Sequence, residues 1–181
     1  MRPAVLLPAL CVLFVGTATQ AQVSEDEDLG VPATSELRAG EHAAPTPIQI
    51  PGARTISTAV LRRLMQAGGA EAPILLDVLG EGNRHLTIPG AIWVPGAGEG
   101  QGFDDAIQPA LARFLQAATK GDRARPIVFF CASARCWLSY NAALRAVRLG
   151  YTQVLWYRGG IQSWGQGGGA LAEPIGVAKL R

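Results

Sequence analysis

The chain has 181 residues, 49% of them hydrophobic and 17% charged, with a formal net charge of +2. That size and apolar content suit one packed domain and exclude a chain too polar to build a core. Near-neutral charge without basic–aromatic interleaving excludes the single-strand nucleic-acid binders, and three cysteines are too few for a disulfide-built scaffold.

Residues 1–21 are read as a cleaved signal peptide. MRP is a short basic region, AVLLPALCVLFVG an apolar one, and Thr19 and Ala21 fit the small positions before a cut at Gln22. The apolar run is shorter than the roughly 20 residues of a spanning helix and contains Pro8. Leu10 before Cys11 is too large for a lipid-attachment site. The expected location is therefore the periplasm, with no membrane attachment after cleavage.

Residues 22–50 open on the acidic run SEDEDLG and continue in Ala, Pro, Thr and Glu without an apolar period. They are expected to form an extended or disordered, solvated lead-in. The domain is placed at 51–175, followed by a tail at 176–181.

From residue 55 onward, strand and helix patterns alternate. Ser57 is positioned to cap a helix over Thr58 to Ala67, stopped by Gly68-Gly69. Ile74 to Leu79 (ILLDVL) is an apolar run with one acid, the pattern of a strand buried on both faces. A Gly- and Pro-rich loop leads to a short strand at 91–94. Asp104 or Asp105 caps a helix through Ala118, whose regular part is expected to begin near Pro109. Residues 127–130 form a strand, Leu138 to Leu149 a helix ended by Gly150, and Gln153 to Tyr157 a further strand before RGGIQSWGQGG. This order implies an α/β fold, a parallel sheet with helices on both faces.

The chemistry concentrates in IVFFCASARCWLSYN, where a buried strand stops at Cys131. In open parallel sheets, reactive groups gather at the carboxyl ends of strands. The loop Ala132, Ser133, Ala134, Arg135, Cys136 and Trp137 would then curl over a helix start, whose unpaired N–H groups lower a thiol's pKa and hold anions. Arg135 adds a formal charge. The small loop residues have no evident packing purpose and would admit a ligand. Between Arg123 and Ala172 there are six arginines and no acid, the pattern of a solvated basic face that favours anions. The bland alternatives are an inert buried cysteine, or a Cys131–Cys136 pair, whose four intervening residues allow ring closure.

The block from Val128 to Gly169 resembles the catalytic half of a rhodanese-like domain. LGYTQVLWYRGGIQSWGQGG keeps that family's pattern at Gly150, Gly159, Gly160, Ile161 and Trp164. Upstream, LLDVL and TIPGAIWVPG match its other signatures through Asp77, Ile88, Pro89, Gly90 and Ala91. Cys136-Trp137 and Ser139-Tyr140-Asn141-Ala142-Ala143 are similar to the exported rhodanese-like proteins associated with pyrroloquinoline-quinone-dependent alcohol catabolism. The chain departs from the usual pattern in three places. Leu79 stands for an arginine, Thr87 for a histidine (His85 lies two residues earlier), and the cysteines are more widely spaced than in the Cys-x-x-Cys-Trp motif.

The resemblance implies a single rhodanese-like domain with Cys131 as the sulfur-carrying residue, fed by a small anionic sulfur donor, and Asp77 and Ser139 in support. It also implies an accessory role beside a periplasmic quinoprotein dehydrogenase. No quinone-binding motif is present, so no bound cofactor is expected. Two other readings stand beside sulfur transfer: a Cys131–Cys136 redox or structural pair, and a non-catalytic adaptor for such a dehydrogenase. In the adaptor, Trp137 is the partner-facing anchor, within an aromatic rim drawn from Tyr140, Trp156 and Tyr157. A phosphatase is excluded because Trp137 stands where its arginine must be. Zinc lacks ligands, since only His85 lies near two cysteines.

Overall fold

The computed structural model describes residues 24–69, 72–82 and 85–180. Among the described residues, six strands and four helices follow in the order β1 Arg54–Thr55, α1 Thr58–Ala67, β2 Ile74–Asp77, β3 Ile92–Trp93, α2 Ile107–Ala118, β4 Ile127–Phe130, α3 Trp137–Arg148, β5 Val154–Trp156, α4 Gly160–Gln166 and β6 Gly176–Val177. The strands form one sheet in the order β1-β5-β4-β2-β3-β6, parallel at every pairing. This is the α/β architecture expected from the sequence.

Side-chain alternation divides the core into two layers. Leu76, Ile127, Phe129, Cys131, Val154 and Trp156 face one side, where Leu111 and Leu115 of α2 and much of α3 pack. Leu75, Val128, Phe130, Leu155 and Tyr157 face the other, against Leu61 of α1 and Trp164 of α4. Both faces of the central strands are covered, which is why they read as continuous apolar runs.

The helix starts follow their capping chemistry. Ser57 accepts from Val60 N at 3.4 Å to begin α1. Asp105 Oδ1 accepts from Ile107 N and Gln108 N at 3.1 and 3.2 Å to begin α2. Pro109 falls in the first turn of α2, where a missing N–H costs no helical hydrogen bond.

Three expectations need correction. The tail at 176–181 is not outside the domain: Gly176–Val177 is β6, hydrogen-bonded beside β3 as a sheet edge. Two residues are too few to show any period, so the sequence carried no strand signal there. The basic face is divided, with Arg123, Arg135 and Arg148 exposed but two of its six arginines internal. Arg145 and Arg158 are buried, and Arg145 meets Asp105 from outside the acid-free segment at 2.6 Å.

The lead-in is extended and much of it is exposed, but it is bound to the domain rather than loose. Residues 24–50 contain no helix or strand, yet they form a strap bound to the domain. Thr34 N donates to Tyr140 Oη, Arg38 N to Asn141 Oδ1 and Thr46 N to Ala134 O. Side chains of the domain satisfy the strap's backbone, so it needs neither periodicity nor an apolar stripe of its own. The signal-peptide expectation lies outside the described residues. Among the described residues, no helix is long and apolar enough to cross a membrane.

Candidate functional site

Cys131 follows β4, a strand between β5 and β2, and its side chain falls on the α3 face by strand alternation. The loop after it is pinned from three directions. The first turn of α4 donates Ile161 N to Cys131 O and Gln162 N to Ala132 O, each at 2.9 Å. Inside the loop, Cys136 N donates to Ser133 O at 3.1 Å and Arg135 N to Ser133 Oγ at 3.2 Å. From the strap, Thr46 donates both its N–H (3.2 Å) and its hydroxyl (2.7 Å) to Ala134 O.

The two cysteines are joined. Cys131 and Cys136 form a disulfide with their Cα atoms 6.4 Å apart, and they are 1% and 7% exposed. The expected N–H cradle around a thiolate is absent from this oxidised state: among the described residues, no backbone N–H bonds to either sulfur. Its would-be donors are spent elsewhere, with Trp137 N on His42 O at 2.8 Å and Cys136 N on Ser133 O. The nearest polar atom recorded for Cys131 Sγ is Cys136 O at 3.6 Å, and a disulfide sulfur has no proton to give it.

The start of α4 lies tightly against the backbone of this loop. A Cβ on Gly160 would overlap Cys131 O and crowd Ala132 and Ser133, and Gly160 has φ +59°. What approaches the loop backbone is therefore α4 and Thr46 of the same chain. Arg135 is exposed, while Ala132 and Ser133 are half-buried, which leaves the loop's outer side as its open face.

Trp137 is not a partner-facing anchor. It is 3% exposed, donates its indole N–H to Pro45 O at 2.8 Å, and has the Arg38 guanidinium 5.1 Å over its ring. Tyr140, Trp156 and Tyr157 are fully buried, so no aromatic rim exists. Tyr140 Oη donates to Thr34 O at 2.8 Å and accepts from Thr34 N at 3.0 Å; burial raises its phenol pKa, opposed by that N–H. Asn141 Nδ2 donates to Arg38 O and to Gly98 O, both at 2.9 Å. Trp137, Tyr140 and Asn141 thus hold the strap against α3.

The two supporting residues also act on the scaffold. Ser139 Oγ donates to Cys136 O at 3.3 Å and accepts from Trp156 Nε1 at 3.0 Å, which ties the start of α3 to β5. Asp77 ends β2 beside Phe130 and is buried. Its carboxylate accepts from Leu79 N at 2.9 Å and Thr87 Oγ1 at 2.6 Å, with His85 Nε2 at 2.7 Å. Thr87 and His85 together take the donor positions around this acid, which fixes the loop after β2.

Sequence reasoning missed Arg158, which locks the strap beside the cysteine loop. Its guanidinium, 1% exposed, donates to Glu25 O (2.7 Å), Glu27 O (2.9 Å), Thr46 O (3.1 Å) and Thr46 Oγ1 (3.1 Å). Burial lowers its pKa, opposed by the charges of Asp28, Glu27 and Asp26. Glu25 in turn accepts from Thr58 N (2.9 and 3.1 Å) and Thr58 Oγ1 (2.7 Å), an anion at the first turn of α1. Nearby, Tyr157 Oη lies 2.6 Å from Thr58 Oγ1, and burial pushes its pKa well above the usual phenol value. The acidic run at residues 24–30 was the available signal, with a basic, Gly-flanked position, YRGG, as its counterpart.

The family model for the rhodanese-like domain matches residues 57–166, more than half the chain. The chain belongs to the rhodanese-like domain family. A search of curated proteins found no match. Among solved structures, the rhodanese-like chain is similar to thiosulfate sulfurtransferase from Pseudomonas aeruginosa, at 19% identity over 71% of this chain and TM-score 0.49; the match spans 22% of that protein. It is also similar to EanB in complex with hercynine, at 16% identity over 73% of this chain and 34% of that one, TM-score 0.51. A human single-domain sulfurtransferase matches at 26% identity over 63% of this chain and 96% of that one, TM-score 0.44. The rhodanese-like fold is consistent with sulfurtransferase-type function.

Proposed function

We propose that this rhodanese-like protein handles sulfane sulfur through a persulfide on Cys131. The observation that carries the reading is the position of Cys131 at the carboxyl end of β4, its carbonyl gripped by the first turn of α4. A reductant first opens the Cys131–Cys136 bond. The Cys131 thiolate then attacks the outer sulfur of a small anionic donor such as thiosulfate. A Cys131 S–S bond forms, the donor's S–S bond breaks, and sulfite leaves with the electron pair. Arg135, exposed on the loop, brings positive charge to an incoming anion, and Ser133 offers a hydroxyl. Sulfite release by the reduced protein, and its loss in Cys131→Ser, is the test; equal release by both proteins rejects the reading.

The disulfide itself favours a second reading, in which the cysteines are a permanent clip. In that case reduction lowers stability, and no sulfur is taken up at any thiosulfate concentration.

The finer placement is an exported protein accessory to a periplasmic quinoprotein dehydrogenase, with pyrroloquinoline quinone bound by that enzyme and not by this chain. The signal-like residues 1–21 and the resemblance through Cys136-Trp137 and Ser139 to Ala143 support it. A mature N-terminus at Gln22 in the periplasmic fraction is expected; an intact N-terminus in the cytoplasm would reject it.

A further inference from the structure

We propose that Cys136 is a resolving cysteine, so that the protein discharges its sulfur as hydrosulfide and the disulfide in this structure is the product of that step. The inference rests on the reading of Cys131 as the sulfur carrier. The Cys136 thiolate attacks the inner sulfur of the Cys131 persulfide, the Cys131–Cys136 bond forms, the persulfide S–S bond breaks, and hydrosulfide leaves with the electron pair. Together with the loading step, the two thiols and one thiosulfate give one disulfide, one sulfite, one hydrosulfide and one proton. The cysteine pair loses two electrons and the sulfane sulfur gains them. Starting from the two thiols, one turnover therefore needs no outside oxidant or reductant; opening the disulfide of this structure, and each later turnover, needs a dithiol that reduces the pair.

Three observations carry this. The Cα atoms of Cys131 and Cys136 are 6.4 Å apart, within bonding range, and the bond is made in the folded domain, so the sulfurs meet without rebuilding the fold. Attack on the inner sulfur yields that contact directly, whereas attack on the outer sulfur would only move the persulfide to Cys136. Approach by a large external acceptor is opposed. Cys131 is 1% exposed, Thr46 is bonded across the loop at Ala134 O, and His42 and Pro45 lie over Trp137. An acceptor sulfur already held inside the loop outcompetes one that must first displace the strap.

The experiment uses the full chain, reduced, freed of reductant and mixed with thiosulfate under anaerobic conditions. Sulfite, sulfide and free thiol are each measured. The expected result is equal release of sulfite and sulfide, with both thiols lost. Cys136→Ser should release sulfite without sulfide and keep its persulfide until an external thiol is added. Sulfite without sulfide from the wild-type protein would overturn the resolving role and leave the carrier reading intact. Release of neither would overturn both, and sulfide release undiminished in Cys136→Ser would assign the step to another group.

Discussion

Arg158 bonds both the hydroxyl and the carbonyl oxygen of Thr46, which lies 112 residues earlier in the chain. The same guanidinium reaches Glu25 O and Glu27 O, so one buried cation gathers both ends of the strap. Hydrogen bonds to a charged donor contribute about 1.5–3 kcal/mol each, and several converge here. Arg158→Met removes every one of these donors. The strap should peel away, because its freed carbonyls regain water once it leaves. We expect fast proteolytic cleavage between Glu25 and Thr46 in Arg158→Met, and a stability loss of about 1–3 kcal/mol. Protection equal to wild type would contradict the latch.

Asp105 and Arg145 make the domain sensitive to acid. Burial opposes the Asp105 charge, but the Arg145 hydrogen bond and charge, with the N–H groups of Gln108 and Ile107, hold its pKa below the usual 3.8. A carboxyl group with a depressed folded pKa contributes stability in full above its unfolded value. That contribution is lost as pH falls through the folded one. Denaturant titrations should therefore show the wild type losing stability below about pH 4 more steeply than Asp105→Asn. At neutral pH, Asp105→Asn should cost about 1–3 kcal/mol, because buried Arg145 loses its carboxylate but keeps Gln108 Oε1 and Glu99 O as acceptors. Parallel pH profiles would exclude Asp105 as the acid-labile group.

Gly160 joins α4 to the cysteine loop. Gly160→Ala places a Cβ against Cys131 O and requires φ +59°, which L side chains disfavour. A loss of about 1–3 kcal/mol in urea unfolding is expected, together with altered reactivity of Cys131 once reduced. Wild-type stability would show that the loop yields easily.

The strand–helix alternation was legible because β2 and β4 are buried on both faces and their apolar runs are uninterrupted except at Asp77. Ser57 and Asp105 announced their helices through ordinary capping chemistry. The strap was not legible. Its partners (Tyr140, Asn141, Trp137, Arg158) lie roughly a hundred residues away, and backbone groups that bond distant side chains leave no period in the sequence. The same blindness made Trp137 look like a surface anchor, since a loop tryptophan is explained only by the chain that covers it. At the site, the pairing of Cys131 with Cys136 was one of three open readings. Residue types alone do not show which way the two sulfurs point.

The central claim is that Cys131 accepts a sulfane sulfur, and intact-mass measurement on reduced Cys136→Ser treated with thiosulfate tests it most directly. The resolving thiol is gone, so the adduct should persist as a gain of about 32 Da, one sulfur atom, that vanishes on adding dithiothreitol. The Cys131→Ser protein should gain nothing. An unchanged mass for Cys136→Ser at saturating thiosulfate, with the fold intact, would contradict the account and leave the disulfide as a clip.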